Sequence, residues 1–347
     1  MTNKRQDFIL IYLKNQGSSS REAIERYLHQ QGHTGSKITI LRDLDKLVSA
    51  HLVKKSGAGK ATKYALSVYS TQTFPIDVEA YFAKDIDERE LRSERFNFDV
   101  ARELYQLLNA NEIAELTSLN ESFRQKKARL SPRLLQKEFE RLTVELAWKS
   151  SKIEGNTYTL LDTERLLKEN IPAKGKTAEE TQMVINHKKA LDYVLEDPAY
   201  YRELTVAKIE EIHTVLTSGL NVAKGIRSGM VGIVGTNYRP LDNKFQIQEA
   251  LEQLVVLVNQ TKNTIEKALL AVLMISYIQP FEDGNKRTSR ILGNAILLAD
   301  DFCPLSYRSV DEVEYKKGII LFYEQNNISY FKQLFLEQFR FAVSKYF

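Results

Sequence analysis

Two apolar helical stretches, Ala268 to Tyr277 and Ile291 to Leu298, flank the polar run Gln279-Pro280-Phe281-Glu282-Asp283-Gly284-Asn285-Lys286-Arg287-Thr288-Ser289-Arg290. Helices so apolar belong inside a helical core, and they carry the charged turn between them to its edge. Pro280 and Gly284 supply the break. The residues after Gly284 open the next helix, where first-turn N–H groups lack acceptors and the positive dipole end favours an anion, naturally a phosphate. Arg287 and Arg290, three residues apart, share a face and can clamp further phosphates. Asp283 at the mouth is placed to hold Mg²⁺ bridging them.

The rest of the chain narrows the class. Its 347 residues and 43% hydrophobic content suffice for a small module plus one sizeable core. The single cysteine, Cys303, excludes an internal disulfide framework, and no Cys/His spacing reads as a zinc site. The only apolar run near the N-terminus is Phe8 to Leu13, and no run approaches the roughly 20 residues of a membrane span. A cytoplasmic location with no membrane partner is expected.

Charge is unevenly distributed. Residues 1–70 hold 12 Lys/Arg against 5 Asp/Glu, a net +7 in a chain whose total is +4, so the remainder carries −3. A polyanionic partner is therefore expected for the N-terminal fifth only. Three helices are expected there, over residues 4–15, 21–29 and 36–50, the third with Ile38, Leu41, Leu44, Leu47 and Val48 at helical spacing. Two short strands, Leu52-Val53 and Tyr64 to Leu66, enclose the basic, glycine-rich tip Lys54 to Lys60. This order resembles the winged helix-turn-helix family, down to Thr39-Ile40-Leu41-Arg42-Asp43-Leu44-Asp45-Lys46-Leu47. The resemblance implies DNA binding: Ser36, Lys37 and Thr39 face base edges, while Arg42, Lys54, Lys55, Lys60 and Lys63 neutralise phosphates. Palindromic sites would suit a homodimer.

Residues 71–96, interrupted by Phe74-Pro75 and dense in charge, read as a connector between domains 1–70 and 97–347. Nearly everything beyond is helical, including 97–108, 112–127, 134–149, 177–195 and 247–261. The glycine-alternating stretch Val231 to Pro240 is the exception and reads as a β-hairpin.

The central loop resembles that of the Fic family, His-x-Phe-x-(Asp/Glu)-Gly-Asn-x-Arg-x-x-Arg, at every specified position but the first. The resemblance extends over roughly residues 97–340 and implies a mainly α protein: an all-α Fic (Fido) fold with a β-hairpin flap, preceded by the small α+β winged-helix domain. It implies ATP and Mg²⁺ as ligands, with Asp283 on the metal, Gly284, Asn285, Lys286 and Arg287 forming the anion hole, and Arg290 on the γ-phosphate. Phe281 would anchor the loop in the core. Ser150-Ser151-Lys152-Ile153-Glu154-Gly155 resembles the family's inhibitory motif, so Glu154 is expected to reach Arg290 and deny it to nucleotide. The stretch following Gly225-Ile226-Arg227, at Val231, Gly232, Ile233, Val234 and Gly235, resembles the flap that docks a target peptide by strand addition.

Two departures matter. Gln279 stands where the family keeps its histidine base, and an amide takes no proton near neutral pH. Lys286 stands where AMP-transferring members usually have glycine and the Doc branch has lysine, which leaves AMP and phosphoryl transfer level. His187 and His213 have no spacing that brings either into the loop and read as ordinary helix histidines. The expected function is a nucleotide-binding Fic core coupled to a DNA-binding winged helix, an autoregulatory or transcriptional protein with impaired transferase chemistry. The alternative is an active, autoinhibited protein adenylyltransferase or Doc-like phosphotransferase acting on a Ser, Thr or Tyr hydroxyl. A weak hydrolytic role with Glu154 as base is a third reading, and a pure interaction scaffold a fourth.

Overall fold

The computed structural model describes residues 3–347 except Thr34 and Tyr105, and leaves out the side chains of Lys60, Arg102 and Glu103. The chain divides into two compact units, Met1–Pro75 and Ile76–Phe347.

The first unit runs α1 (Lys4–Gln16), β1 (Ser19–Ser20), α2 (Arg21–Gln30), α3 (Lys37–Ser49), β2 (Val53–Ser56), β3 (Lys63–Leu66) and α4 (Val68–Thr73). The sheet has order β1-β3-β2, antiparallel throughout, with Val53 opposite Leu66 and Ser56 opposite Lys63. Ser20 caps α2, its Oγ accepting from Ala23 N at 3.3 Å, and also pairs with Lys63 as a strand residue that the sequence did not reveal. Gly57 turns the chain at the tip of β2 with φ 75°; a Cβ there would lie 2.4 Å from the Ala61 carbonyl.

The buried face of α3 is Ile40, Asp43, Leu44 and Leu47. Ile38, expected inside with Leu41, is instead 69% exposed. The inward stripe is Ile40, Leu44 and Leu47 at helical spacing, which leaves Ile38 outside it, and Asp43 is accommodated on the same face because Arg5 at 2.5 Å and Gln6 at 3.2 Å pair with its carboxylate.

The second unit begins with two short pieces, α5 (Val78–Phe82) and α6 (Asp99–Glu103), and continues with α7 (Ala110–Arg129), α8 (Pro132–Ile153), α9 (Leu160–Glu169), α10 (Ala178–Glu196), α11 (Val206–Leu216), α12 (Lys244–Gln260), α13 (Thr264–Ile278), α14 (Asn285–Ala299), α15 (Glu312–Gln325) and α16 (Ser329–Lys345). At its centre, α13 is buried at nearly every residue and lies against α14, with α10 and α11 also packing on α14 and α12 and α15 on α13. Gly293 permits the close approach: a Cβ there would meet Val272 Cγ2 at 2.8 Å.

Three expectations about this region are corrected. The helix expected over 97–108 is only Asp99–Glu103; beyond it the backbone finds side-chain partners, Leu108 N donating to Glu266 Oε1 at 2.8 Å and Lys332 Nζ to the Leu107 carbonyl at 3.2 Å. Residues 76–96 are not a free connector, since Arg89 is buried and Arg92 N donates to the Glu324 carbonyl at 2.7 Å. The stretch 231–240 reverses at a turn over Val234 and Gly235 but forms no ladder, so the expected β-hairpin is absent. Its second half, Gly235 to Arg239, pairs with side chains and with residues 86–95 instead.

Candidate active site

The loop between α13 and α14 begins and ends in left-handed backbone, Gln279 at φ 51° and Gly284 at φ 79°. Glycine takes this conformation freely, whereas glutamine does so at a cost. Arg227 offsets it: its Nε donates to the Gln279 carbonyl at 2.7 Å, and its backbone N donates to the Pro280 carbonyl at 3.0 Å. Asn285 staples the interior, its Oδ1 accepting from Phe281 N at 2.8 Å and its Nδ2 donating to the Phe281 carbonyl at 2.8 Å and to Gln279 Oε1 at 3.0 Å. Phe281 is fully buried and stacks on His213, ring centroids 3.8 Å apart. His213 Nε2 donates to the Asp283 carbonyl at 3.0 Å. His213 is thus a core histidine that also braces the loop. The two residues are 70 positions apart, and the sequence carries no signal that joins them.

This loop floors a cavity of about 340 Å³ walled by Glu154, Val231 to Val234, Tyr315 and Tyr323. At its base α14 starts without a side-chain cap, leaving the first-turn N–H groups for an anion. Arg287 and Arg290 are buried; Arg287 lines the cavity and its Nη1 has no hydrogen-bond partner among the described residues, whereas Arg290 lies behind the cavity wall against Tyr315. An orphaned Arg287 nitrogen beside an uncapped helix start is what a phosphate would satisfy. Asn285 contributes by holding the loop; its side chain turns inward.

Arg290 is held by Glu154 and by α8. Its Nη2 lies 2.8 Å from Glu154 Oε1, and Lys286 Nζ lies 3.7 Å from Oε2. Glu154 ends α8, and Gly155 at φ 97° lets the chain turn away so that the carboxylate faces α14. Burial pushes this carboxyl up, but Arg290, Lys286 and Arg287 together outweigh it and hold it below its ordinary range.

Behind the pair runs a chain of fixed donors. Arg290 Nε donates to Ser150 Oγ at 2.8 Å, and Ser150 Oγ lies 2.7 Å from His187 Nε2. His187 Nδ1 faces the Met183 carbonyl at 2.9 Å, which only accepts; Nδ1 therefore carries the proton, and Ser150 donates to Nε2. Burial pushes the imidazole down to about 3, the Met183 hydrogen bond opposing and the nearby Arg287 and Arg290 adding to the shift. Because the folded value lies below the unfolded one, the unfolded chain binds the extra proton, so stability is lost as pH falls from about 6.5 toward 3. His187→Gln is expected to flatten the decline in urea midpoint between about pH 7 and pH 5; an unchanged slope would exclude this histidine as a source of acid sensitivity.

The Gln279 amide is engaged by its neighbours through both its nitrogen and its oxygen. Its Nε2 donates to the Ser276 carbonyl at 2.6 Å and to Tyr323 Oη at 3.3 Å, and its Oε1 accepts from Asn285. Asp283 is paired with Arg287 at 2.5 Å, its side chain 62% exposed at the mouth. No cluster of three His, Cys, Asp or Glu capable of holding a metal occurs among the described residues. Asp283 alone would not hold a metal; an ion here would need further oxygens from its ligand to complete its shell.

In the first unit, Lys37, Arg42, Lys54, Lys55 and Lys63 are all exposed. Ser36 is occupied as the cap of α3, its Oγ accepting from Thr39 N at 3.3 Å and lying 2.9 Å from Thr39 Oγ1. The side chain of Lys60 lies outside the described residues.

The Fic/DOC family model matches residues 203–297, a span that contains the loop, Arg287 and Arg290. Residues 203–297 are a Fic/DOC family domain. Among curated proteins, the chain is similar to Protein adenylyltransferase Fic of Nematostella vectensis, 31% identical over 170 residues, which is 48% of this chain and 40% of that protein. The protein of the same name from Drosophila melanogaster is 28% identical over 44% of this chain and 32% of its own. The chain thus matches well under two thirds of the length of these relatives. Among solved structures, Fic-1 (aa134 - 508) of C. elegans superposes with TM-score 0.60 at 22% identity, covering 68% of this chain and 71% of that one. A Fic domain containing signaling protein from Bacteroides thetaiotaomicron gives 0.56 at 20% identity, covering 67% and 94%. These likenesses establish the mainly α Fic fold. Glu154 lies outside the family match, although it closes the Fic cavity. No helix among the described residues is long and apolar enough to cross a membrane.

Proposed function

We propose that the Fic core binds the phosphates of ATP or another nucleoside triphosphate, that Glu154 restrains this binding, and that proton-dependent transfer is impaired because Gln279 replaces the base. A basic DNA-binding unit, residues 1–75, would report the state of the core, making the chain an autoregulator rather than an enzyme in its own right. The observation that carries the reading is the Gln279 amide: it is engaged on both sides by Ser276, Tyr323 and Asn285 and has no lone pair basic enough to take a hydroxyl proton.

Within the core, Gly284 to Arg287 would cradle the inner phosphates, Arg290 would meet the γ-phosphate once Glu154 withdraws, and Asp283 would exchange Arg287 for Mg²⁺. The metal would neutralise phosphate charge; the residues' own part is to bind and orient. Titration calorimetry with Mg-ATP tests this. Weak binding by the native chain that disappears in Arg287→Ala is expected, and no heat even after Glu154 is replaced would remove the nucleotide from the reading.

Support for the DNA-binding half is the exposed basic surface on α3, β2 and β3 together with the antiparallel three-stranded sheet. Replacing Lys54, Lys55 and Lys63 together by alanine should weaken DNA retention and reduce the log–log salt slope by about 3, since each phosphate that is no longer neutralised takes roughly one unit from it. An unchanged slope would take these lysines out of the interface.

A second reading, an active and autoinhibited adenylyl- or phosphotransferase, is favoured by one specific feature. An idle site has no evident need of a carboxylate latched by both Arg290 and Lys286.

A further inference from the structure

The stretch 231–239 lacks a ladder, so its hydrogen bonds must be accounted for elsewhere. Its second half is gripped by residues 86–95. Arg89 Nη2 donates to the Gly235 carbonyl at 2.7 Å, Asn237 Nδ2 donates to Asp87 Oδ1 at 2.9 Å, and Arg239 N donates to the Glu94 carbonyl at 2.8 Å. Glu324, fully buried at the end of α15, closes the grip: it accepts from Thr236 Oγ1 at 2.6 Å and Tyr81 Oη at 2.7 Å and lies 3.4 Å from Arg89 Nη1. Arg89 is 6% exposed and sits over the Phe82 ring, 5.2 Å from its centroid. The first half differs. Met230 and Val234 are 85% and 97% exposed, and among the described residues no hydrogen bond uses the backbone of Val231 to Val234.

We infer that residues 86–95 form a strap whose Arg89 is a positioning residue: it immobilises Gly235 to Arg239 and thereby presents the unpaired edge Val231 to Val234 at the cavity. A buried guanidinium paired with a buried carboxylate is costly to separate, which makes Arg89 and Glu324 a fixed post rather than a sliding contact. The free edge keeps its N–H and C=O groups for a partner strand only because the other half is tied down by a different part of the chain. The inference deepens the docking-edge reading of residues 231–235 and rests on it for its consequence, while the strap itself is measurable without any target or nucleotide.

The test uses the full chain carrying Val234→Cys and a nitroxide label at that exposed site, Cys303 being fully buried and out of reach of the reagent. Spectra are compared among the parent, Arg89→Ala, Arg89→Lys and Asn237→Ala, with hydrogen exchange followed at Arg239. In Arg89→Ala the label is expected to become more mobile and the Arg239 amide to exchange on the order of tenfold faster, while α13 and α14 keep their protection; Arg89→Lys should recover part of the effect. Unchanged label mobility and exchange in Arg89→Ala overturn the strap. Should Arg89→Ala lose protection throughout the unit, Asn237→Ala decides: it breaks only an exposed contact of the strap, and unaltered spectra and exchange there also overturn it. A chain that binds no Mg-ATP yet shows the loosening would sink the nucleotide reading and leave the strap standing.

Discussion

Combining Gln279→His with Glu154→Gly is expected to raise the label transferred from ATP to protein by about 10²–10⁴-fold over Glu154→Gly alone, the span that a positioned general base typically contributes. The site is prepared for the exchange. Position 279 sits in left-handed backbone, which histidine adopts more readily than most side chains, and its carbonyl is already secured by Arg227. The groups proposed to bind phosphate, Arg287 and Arg290 in the first turns of α14, are unchanged by the substitution. Comparing α-labelled with γ-labelled ATP then separates adenylyl from phosphoryl transfer, the alternative that Lys286 leaves level. If Glu154→Gly alone labels protein as strongly as the double variant, the impaired-transfer reading is wrong and Gln279 is no obstacle.

Glu154→Gly by itself is expected to tighten Mg-ATP binding by about one to two orders of magnitude, equivalent to roughly 1.4–2.8 kcal/mol. On the proposed reading, a γ-phosphate would have to displace a carboxylate that Arg290 holds at 2.8 Å and Lys286 flanks at 3.7 Å. Removing the carboxylate returns both cations to the ligand. Glu154→Gln separates charge from shape: it keeps the side-chain length and should recover most of the gain. Equal dissociation constants for native and Glu154→Gly chains in calorimetry would show that the ion pair does not compete with nucleotide, and with it would go the restraint assigned to Glu154.

Legibility in the sequence followed range. The apolar stretches flanking Gln279 to Arg290 specify a buried helix pair, and Gly284 specifies the break, because helical burial and left-handed turns are local properties of residue type. The Ser150 to Glu154 motif likewise carried the Arg290 pairing across 136 positions, but only through resemblance, since no spacing rule joins residues so distant. Misreadings arose where pairing partners are remote. The inward face of α3 takes in Asp43 because it reaches Arg5, the 97–108 helix gives way where Leu108 and Leu107 pair with Glu266 and Lys332, and the second half of the expected hairpin at 231–240 gives its hydrogen bonds to Arg89, Glu94 and Glu324.

Residue order alone settled that this chain has a helical core with a glycine-broken turn between two buried helices and a basic N-terminal fifth, because hydrophobic periodicity, caps and charge act over a few neighbours. Only the tertiary structure decided that His213 braces the loop, that His187 and Ser150 orient Arg290 from behind, and that residues 86–95 hold the stretch beside the cavity. Those are contacts between elements far apart in the chain, and which buried donor meets which acceptor is determined when the helices pack and every enclosed polar group must find a partner.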